Sequence, residues 1–383
     1  MRNARILLAL LFLSSLAAVP GTSAKESSLK AVYAGGTITL TAVMTIDDSL
    51  LPEGILFEAV TDIALDGSGN LYICDMDAHN IKAFTPEGQF IKVIGRQGQG
   101  PGEFNHPYRI AALGDGILVW DMYNERLCAL TAEGEFQKSI PVQRAEGRPQ
   151  KMKSLPDGNV VIEKEIVHFG EKDVPQDCII QIAAPDLTLK KTILSHPVWR
   201  NKYRRFQGMS TNILQPFSPG VHWDVTPQGD IVIGFSVDYS IEIHHAEKGK
   251  LSAFSHKYDP VKVTDEDKEI FFSSLYFGPS GDAKKGIPKE LRNMTEFPKV
   301  KPAFTGLLVD PEGNILVFPS RKAADKSEIV FDAFDPEGRF IGKVRAATTS
   351  SFPSRSKVDK EFIWSIERDD EGYSKVVKYR ITN

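Results

Sequence analysis

Residues 75–94 read DMDAHNIKAFTPEGQFIKVI and residues 121–140 read DMYNERLCALTAEGEFQKSI. A shift of 46 residues lays one on the other without a gap. Asp75 meets Asp121, Met76 meets Met122, and Ile81 meets Leu127. Phe84 meets Leu130, Glu87-Gly88 meets Glu133-Gly134, Phe90 meets Phe136, and Ile94 meets Ile140. Self-similarity at a fixed spacing marks a repeat architecture, in which each unit covers the apolar face of its neighbour. Each unit has the same grammar: a short apolar strand, a Gly-containing turn and an alternating strand such as Leu71-Tyr72-Ile73-Cys74. A loop, a third strand (Ile81 to Phe84), a Pro-Glu-Gly turn and a fourth strand (Phe90 to Ile94) follow. The turns recur as Gly69-Asn70, Asp157-Gly158-Asn159, Gln228-Gly229-Asp230 and Glu312-Gly313-Asn314. Gly and Asn accept the positive φ that tight hairpins require. Four strands in a unit of about 40 to 50 residues is the size of a β-propeller blade.

Working outward, further units start near Arg148, Phe217 and Lys301. Their strands include Val160–Ile162, Ile231–Ile233 and Ile315–Val317. A sixth has two central strands, Phe362–Ile366 and Val376–Ile381, and then the chain stops. Thr37–Ile46 is an orphan strand ahead of the first unit. It is expected to supply the outer strand of the last blade, because that pairing removes a sheet edge. The expected fold is therefore all-β, a six-bladed propeller of four-stranded antiparallel blades closed by the N-terminal strand; five or seven blades are the alternatives.

The run Asp66-Gly67-Ser68-Gly69-Asn70-Leu71-Tyr72-Ile73-Cys74-Asp75, followed by Asn80-Ile81-Lys82-Ala83-Phe84 and Glu87-Gly88, resembles an NHL repeat. Asn124-Glu125-Arg126-Leu127 matches the same pattern in the second unit. Gly95-Arg96-Gln97-Gly98-Gln99-Gly100-Pro101-Gly102-Glu103-Phe104 looks like the blade-to-blade connector of NHL proteins and of bacterial secreted six-bladed propellers. The resemblance spans nearly the whole chain and is strongest in the first two units. It implies a propeller; fold alone does not imply a function. The Gly-rich run lacks the Lys-Ser/Thr of a phosphate loop and does not open a helix.

Arg2 and Arg5, the apolar run Ile6–Leu13 and the small residues Thr22-Ser23-Ala24 read as a secretory signal peptide over residues 1–24. Residues 25–383 are then expected to be a single propeller domain, secreted or periplasmic, monomeric, and not inserted in a membrane once the leader is cleaved. The whole chain carries a formal charge of −4, with 46 Lys+Arg against 50 Asp+Glu, and loss of Arg2 and Arg5 takes it to −6. Nucleic acid is not an expected partner, since it needs a dense basic patch. Cys74, Cys128 and Cys178 are an odd set inside apolar strand-like runs, so they read as buried small hydrophobes. No Cys or His spacing suggests zinc, and no cofactor is expected.

A propeller's innermost strands line a central channel. Counting back eight residues from the second strand places Ile63, Met152, Trp223 and Leu307 at one level, with Ile110 their match in the second unit. The residues just before these are Asp62, Arg109, Lys151, His222 and Gly306. Four of the five are ionisable and all differ, which suits a lining adapted to a ligand. Asp62, Arg109, Lys151 and His222 are thus the candidate ligand-binding residues. Arg and Lys there would hold a carboxylate or phosphate. The alternative is a self-satisfied ring in which Asp62 pairs with Arg109 or Lys151.

Other candidates carry less. His244-His245 on a strand point to opposite faces. Asp75 and Asp121 are expected to hold a blade turn. Trp199-Arg200-Asn201-Lys202-Tyr203-Arg204-Arg205-Phe206 reads as a solvated basic loop between the third and fourth units, the alternative being a contact for an acidic partner or substrate. Residues 259–300 break the repeat, with a helix starting at Thr264-Asp265-Glu266-Asp267. An insertion this long is expected to cover a channel mouth or form a contact surface.

The function these residues favour is a non-catalytic binding module for an anionic small molecule or a protein partner. One alternative is a metal-dependent lactone hydrolase or lyase of the six-bladed type, with Glu58 and Asp62 nearest the expected place. A structural role in the cell envelope is another.

Overall fold

The computed structural model describes residues 28–168, 174–206, 209–274, 289–322, 328–347, 356–359, 362–369 and 371–382. The leader expected at residues 1–24 lies outside them. The chain is a six-bladed β-propeller. Blade 1 comprises Val60–Leu65, Leu71–Asp75, Asn80–Phe84 and Phe90–Ile94, numbered outward from the channel. Blade 2 runs Pro107–Leu113, Gly116–Asp121, Arg126–Leu130 and Phe136–Pro141, and blade 3 runs Arg148–Ser154, Val160–Ile166, Gln176–Ala183 and Leu189–Val198. Blade 4 is Val221–Val225, Ile231–Phe235, Ser240–His245 and Gly249–Ser255; blade 5 is Phe304–Val309, Ile315–Pro319, Glu328–Phe334 and Phe340–Ala347.

Blade 6 is built from both ends of the chain. Ser356–Asp359, Phe362–Arg368 and Ser374–Thr382 are its first three strands, and Thr37–Ile46 is its fourth. Leu40 pairs with Ile381 and Ile46 with Val376 in antiparallel register, as the orphan strand led one to expect. The start of that strand also runs parallel to blade 5, with Thr37 opposite Arg345 and Thr39 opposite Ala347. The closing strand therefore joins two blades as well as completing one. Helix α1 (Leu29–Ala34), capped by the Ser28 hydroxyl, precedes it. The Leu29 and Lys30 backbone N–H groups donate to the Glu312 carboxylate at 2.7 and 3.2 Å, which ties the helix start to blade 5.

Successive residues of a strand face opposite sides of its sheet, so each blade offers an apolar face to both neighbours. Between blades 1 and 2 this packs Tyr72, Cys74 and Ile81 against Phe104, Ile110 and Val119, all buried. The three cysteines are free and buried. Burial pushes the Cys128 thiol up to about 12, against a weaker downward pull from Arg126.

Two repeated devices hold neighbouring blades together. Outer-strand lysines donate to turn carbonyls of the next blade: Lys92 to Glu133 at 2.7 Å, Lys138 to Asp186, and Lys191 to Ala246 at 2.9 Å. The second is the Pro-Glu-Gly turn itself. Gly134 has φ +78°, and a Cβ there would lie 2.7 Å from the Ile94 side chain of the preceding blade. Gly338 is the same in blade 5, where a Cβ would meet the Phe254 ring at 2.3 Å. Gly114 also has positive φ, +55°, but a Cβ there meets nothing within 4 Å. Gly114→Ala should therefore cost only the conformational term, about 1 kcal/mol. Gly134→Ala should cost about 1–3 kcal/mol more, through overpacking against Ile94. Urea midpoints of the two variants measure the difference, and equal midpoints would refute the interblade role of this glycine.

The blade 1–2 connector shows why Asn-x-Arg stands where it does. Arg126 donates to the carbonyls of Gln99, Gly100 and Glu103 at 2.9, 3.0 and 2.7 Å, and Asn124 donates to Gly98 at 2.9 Å. Asp121 accepts from the Asn105 N–H, Asn124 and Arg126. The carboxylate orients the two donors, and these in turn gather the carbonyls of a segment that has no strand partner along most of its length.

The stretch Trp199–Phe206, expected to be a solvated loop, is in part a strand: Asn201–Phe206 pairs with Met209–Leu214 as a hairpin between blades 3 and 4. Its sequence, with Arg204 and Arg205 adjacent, carries no clean strand alternation, which is why it reads as a loop. Between blades 4 and 5 lie helices α2 (Asp265–Ser274) and α3 (Lys289–Met294). The Asp267 N–H donates to the Thr264 hydroxyl at 3.2 Å and its carboxylate accepts from the Thr264 N–H at 3.0 Å, a reciprocal cap.

Candidate functional site: the entry mouth of the channel

Every inner strand starts on one face of the ring, here called the entry face, and ends on the other. A cavity of about 480 Å³ occupies the entry mouth. Asp62, Arg109, Lys151, His222 and Gly306 all line it, one from each of blades 1 to 5. A second cavity, about 460 Å³, lies at the opposite mouth, with Asp66, Gly114 and Pro311 in its wall.

The ring residues owe their aim to a repeated irregularity. In blades 1, 2, 3 and 5 the register of the inner strand slips just before the ring position: between Val60 and Asp62, Pro107 and Arg109, Pro149 and Lys151, and Phe304 and Gly306. One extra residue is accommodated each time. Such a bulge re-aims the side chain that follows it and recurs beside functional sites. Blade 4 has no slip, and Val221 and His222 pair regularly with Phe235 and Gly234.

Arg109 and Lys151 have no carboxylate partner among the described residues. Arg109 lies over the Tyr108 ring at 3.9 Å and donates to the carbonyls of Tyr108 and Gln150. A guanidinium carries five N–H donors, so three remain to be used. Lys151 lies over the Trp223 ring at 4.6 Å and donates to the Trp223 carbonyl. Burial pulls its ammonium down to about 8; Lys153 and Lys357 add to that, while Asp224 and Glu163 oppose it. The self-satisfied pairing of Asp62 with Arg109 or Lys151 does not form. Asp62 instead accepts from the backbone N–H groups of Ile63 and Ile110 at 2.9 and 3.1 Å and lies 3.8 Å from the Lys357 ammonium.

Lys357, Lys153, Glu163 and Ser356 also line the cavity without having been singled out in the sequence, and Arg200, named there within a basic segment, joins them. Lys357 is the blade 6 ring member, hidden because its inner strand is only four residues long and follows no legible turn. Lys153 stands two residues beyond Lys151, the strand period, and is ion-paired with buried Asp224. Burial raises the Asp224 carboxyl, but Lys153, Lys151 and the Val309 N–H outweigh it and hold it below the ordinary range. Arg200, at the foot of the hairpin, reaches the wall and forks between Glu163 at 3.0 Å and Glu165 at 2.7 Å. Glu163 also accepts from the Trp223 indole N–H at 2.8 Å. Ser356, 7% exposed, lines the cavity, and its buried hydroxyl has no hydrogen-bond partner among the described residues.

His222 packs beside Phe304, ring centroids 5.4 Å apart. Burial lowers its pKa to about 4, with Lys151 and Arg200 adding to that and Glu163 opposing, so the imidazole is neutral at pH 7. The unfolded chain binds this proton near pH 6.5 while the folded chain waits until about 4. Stability must therefore fall as pH drops through that window, by up to about 3 kcal/mol. His222→Gln should flatten the loss between those two pH values in urea titrations, and an unchanged slope would refute the assignment.

The two irregular connectors approach this same face. Lys202 of the hairpin meets Glu296 beyond α3 at 2.5 Å, and Phe297 packs on Phe272 and Phe217 with centroids 5.6 and 6.3 Å apart. Lys301, buried, pairs with Asp267 at 2.7 Å and anchors the insertion to the start of blade 5. Of the weaker candidates, His244 pairs with Glu242 at 2.7 Å, and His245 Nδ1 accepts backbone N–H groups from Glu247 and Lys248. Among the described residues, no three His, Cys, Asp or Glu side chains are grouped to hold a metal ion.

Residues 52–111 match the DUF5128 family, described as a 6-bladed beta-propeller. No curated protein matches the sequence. Among solved structures, a member of the duf4221 family from Bacteroides vulgatus aligns with a TM-score of 0.57 at 16% identity, over 91% of this chain and 99% of that one. A putative exported protein from Bacteroides fragilis aligns with a TM-score of 0.51 at 12% identity, over 90% and 96%. These likenesses speak to the fold, which they share over nearly the whole length. No helix among the described residues is long and apolar enough to cross a membrane.

Proposed function

We propose that this propeller is an exported, NHL-like binding module that takes an anionic small molecule, a carboxylate or phosphate, at the entry mouth. The observation that carries the reading is the pair Arg109 and Lys151, two cations facing one cavity with donors to spare and no carboxylate partner. The unpartnered Ser356 hydroxyl adds a neutral donor to the same wall. A cavity of about 480 Å³ falls within the range of small-molecule sites, roughly 300–1,000 Å³. The NHL-like assignment is supported by the Asn124–Arg126 grip on the connector, and export by the leader-like residues 1–24.

The metal-dependent alternative fits less well. Glu58 is exposed and is not in the cavity wall, and the carboxylates that are, Asp62 and Glu163, already face Lys357 and Arg200. Calorimetric titration with citrate and with inorganic phosphate tests the proposal. Binding that weakens as salt rises is expected, since exposed charge pairs are screened. Failure of both anions to bind at low salt would count against the anion site.

A further inference from the structure

We propose that Lys151 captures a small 2-oxo acid as an imine within the entry-mouth cavity, an inference that rests on the anion site proposed above. An ion-paired lysine is held as ammonium and has no lone pair to offer. Among the described residues, buried Lys82 is ion-paired 2.7 Å from Asp75 and buried Lys301 2.7 Å from Asp267. Lys153, on the same strand as Lys151, is paired with Asp224. Lys151 faces the same cavity with a backbone carbonyl for its partner and an indole beneath it. A carbonyl acceptor holds an amine as well as an ammonium, because either form has an N–H to donate.

The surroundings bring the amine within reach just above neutral pH, with the ammonium still the main form at pH 7. Lys153 and Lys357 bring positive charge near Lys151, while Asp224 and Glu163 oppose them from their own ion pairs with Lys153 and Arg200. His222 on the neighbouring strand is neutral and adds no charge. A lysine in an enclosed site beside other cations is the arrangement that activates the amine as a nucleophile. Arg109, from the adjacent blade, donates to the carbonyl of Gln150, the residue just before Lys151. Its spare N–H groups suit a carboxylate, and the amine suits a carbonyl carbon. A compound with both groups uses both residues.

The step balances without a further reactant. The Nζ lone pair attacks the carbonyl carbon and a C–N bond forms. The carbonyl oxygen then departs as water with the two N–H protons, leaving a C=N bond. The capture is reversible by the same water.

The test uses the full-length protein with pyruvate and cyanoborohydride, whose hydride fixes the imine as a secondary amine. Peptide mass spectrometry should place a single carboxyethyl group on Lys151 and none on Lys153. The rate should rise with pH up to about 8 and level off beyond it. Lys151→Arg, which keeps a cation, should lose the capture. No capture, or capture spread over surface lysines at the same rate in Lys151→Arg, would overturn the inference. Lactate, with the same carboxylate and no carbonyl, separates the two claims. Thermal stabilisation by lactate and pyruvate without capture leaves the anion site standing and removes the imine. Capture at Lys151 in wild type that lactate slows by competition supports both.

Discussion

Asp75→Ala should destabilise the protein by about 3–5 kcal/mol, the cost of stripping one partner from a buried ion pair. Asp75 is 0% exposed and Lys82 only 1%. The carboxylate accepts the Lys82 ammonium at 2.7 Å and the backbone N–H groups of Glu58 and Ala59 at 3.0 and 2.7 Å. Its removal leaves Lys82 with Asn80 as its remaining hydrogen-bond acceptor and takes the acceptor from two connector N–H groups. Typical total stability is about 5–15 kcal/mol, so the variant should lie near the edge of folding. Asp75→Ala combined with Lys82→Met removes the stranded charge and should recover more than half of the loss, because apolar replacement of a buried pair is often near neutral. Urea midpoints of the three proteins measure this. A single variant within 1 kcal/mol of wild type, or a double variant less stable than the single, would contradict it.

The second large effect is on binding. Replacing Arg109 and Lys151 together, as Arg109→Met with Lys151→Met, should weaken citrate binding by at least about 100-fold, since each charge-assisted contact contributes about 1.5–3 kcal/mol. The cations lie over the Tyr108 and Trp223 rings, and a methionine thioether can take up a ring contact in their place. Neither residue holds an ion pair among the described residues, so the double variant strands no buried charge and should lose less stability than Asp75→Ala. That sets it apart from Asp75→Ala, where the charge is structural. Calorimetry gives the affinity and a urea melt gives the stability. An affinity loss under tenfold would mean the cations are not the anion's contacts.

The fold was legible because repetition survives where packing demands it. Asp75 and Asp121 recur because each holds its connector, and Gly88, Gly134 and Gly338 recur because an outer-strand side chain or ring of the blade before leaves no room for a Cβ. The closing strand was legible as an orphan with no blade of its own. Four ring residues were also legible, because counting back from a well-marked second strand reaches the channel at the same level each time. Lys357 was not, since its strand is short and its turn unmarked. Arg200 was not, since it enters from a connector outside the repeat. The bulges left no consistent mark either: Thr61 and Thr305 are alike, but Tyr108 and Gln150 stand at the other two slips. A register slip is a property of pairing between strands, which single-strand composition does not record.

Co-crystallisation of the protein with citrate tests the anion site. The anion is expected in the entry-mouth cavity, with its oxygens on Arg109 and Lys151 and within reach of Ser356. Citrate bound only elsewhere, with the Arg109 and Lys151 side chains turned from the channel toward carboxylates of the protein, would contradict it.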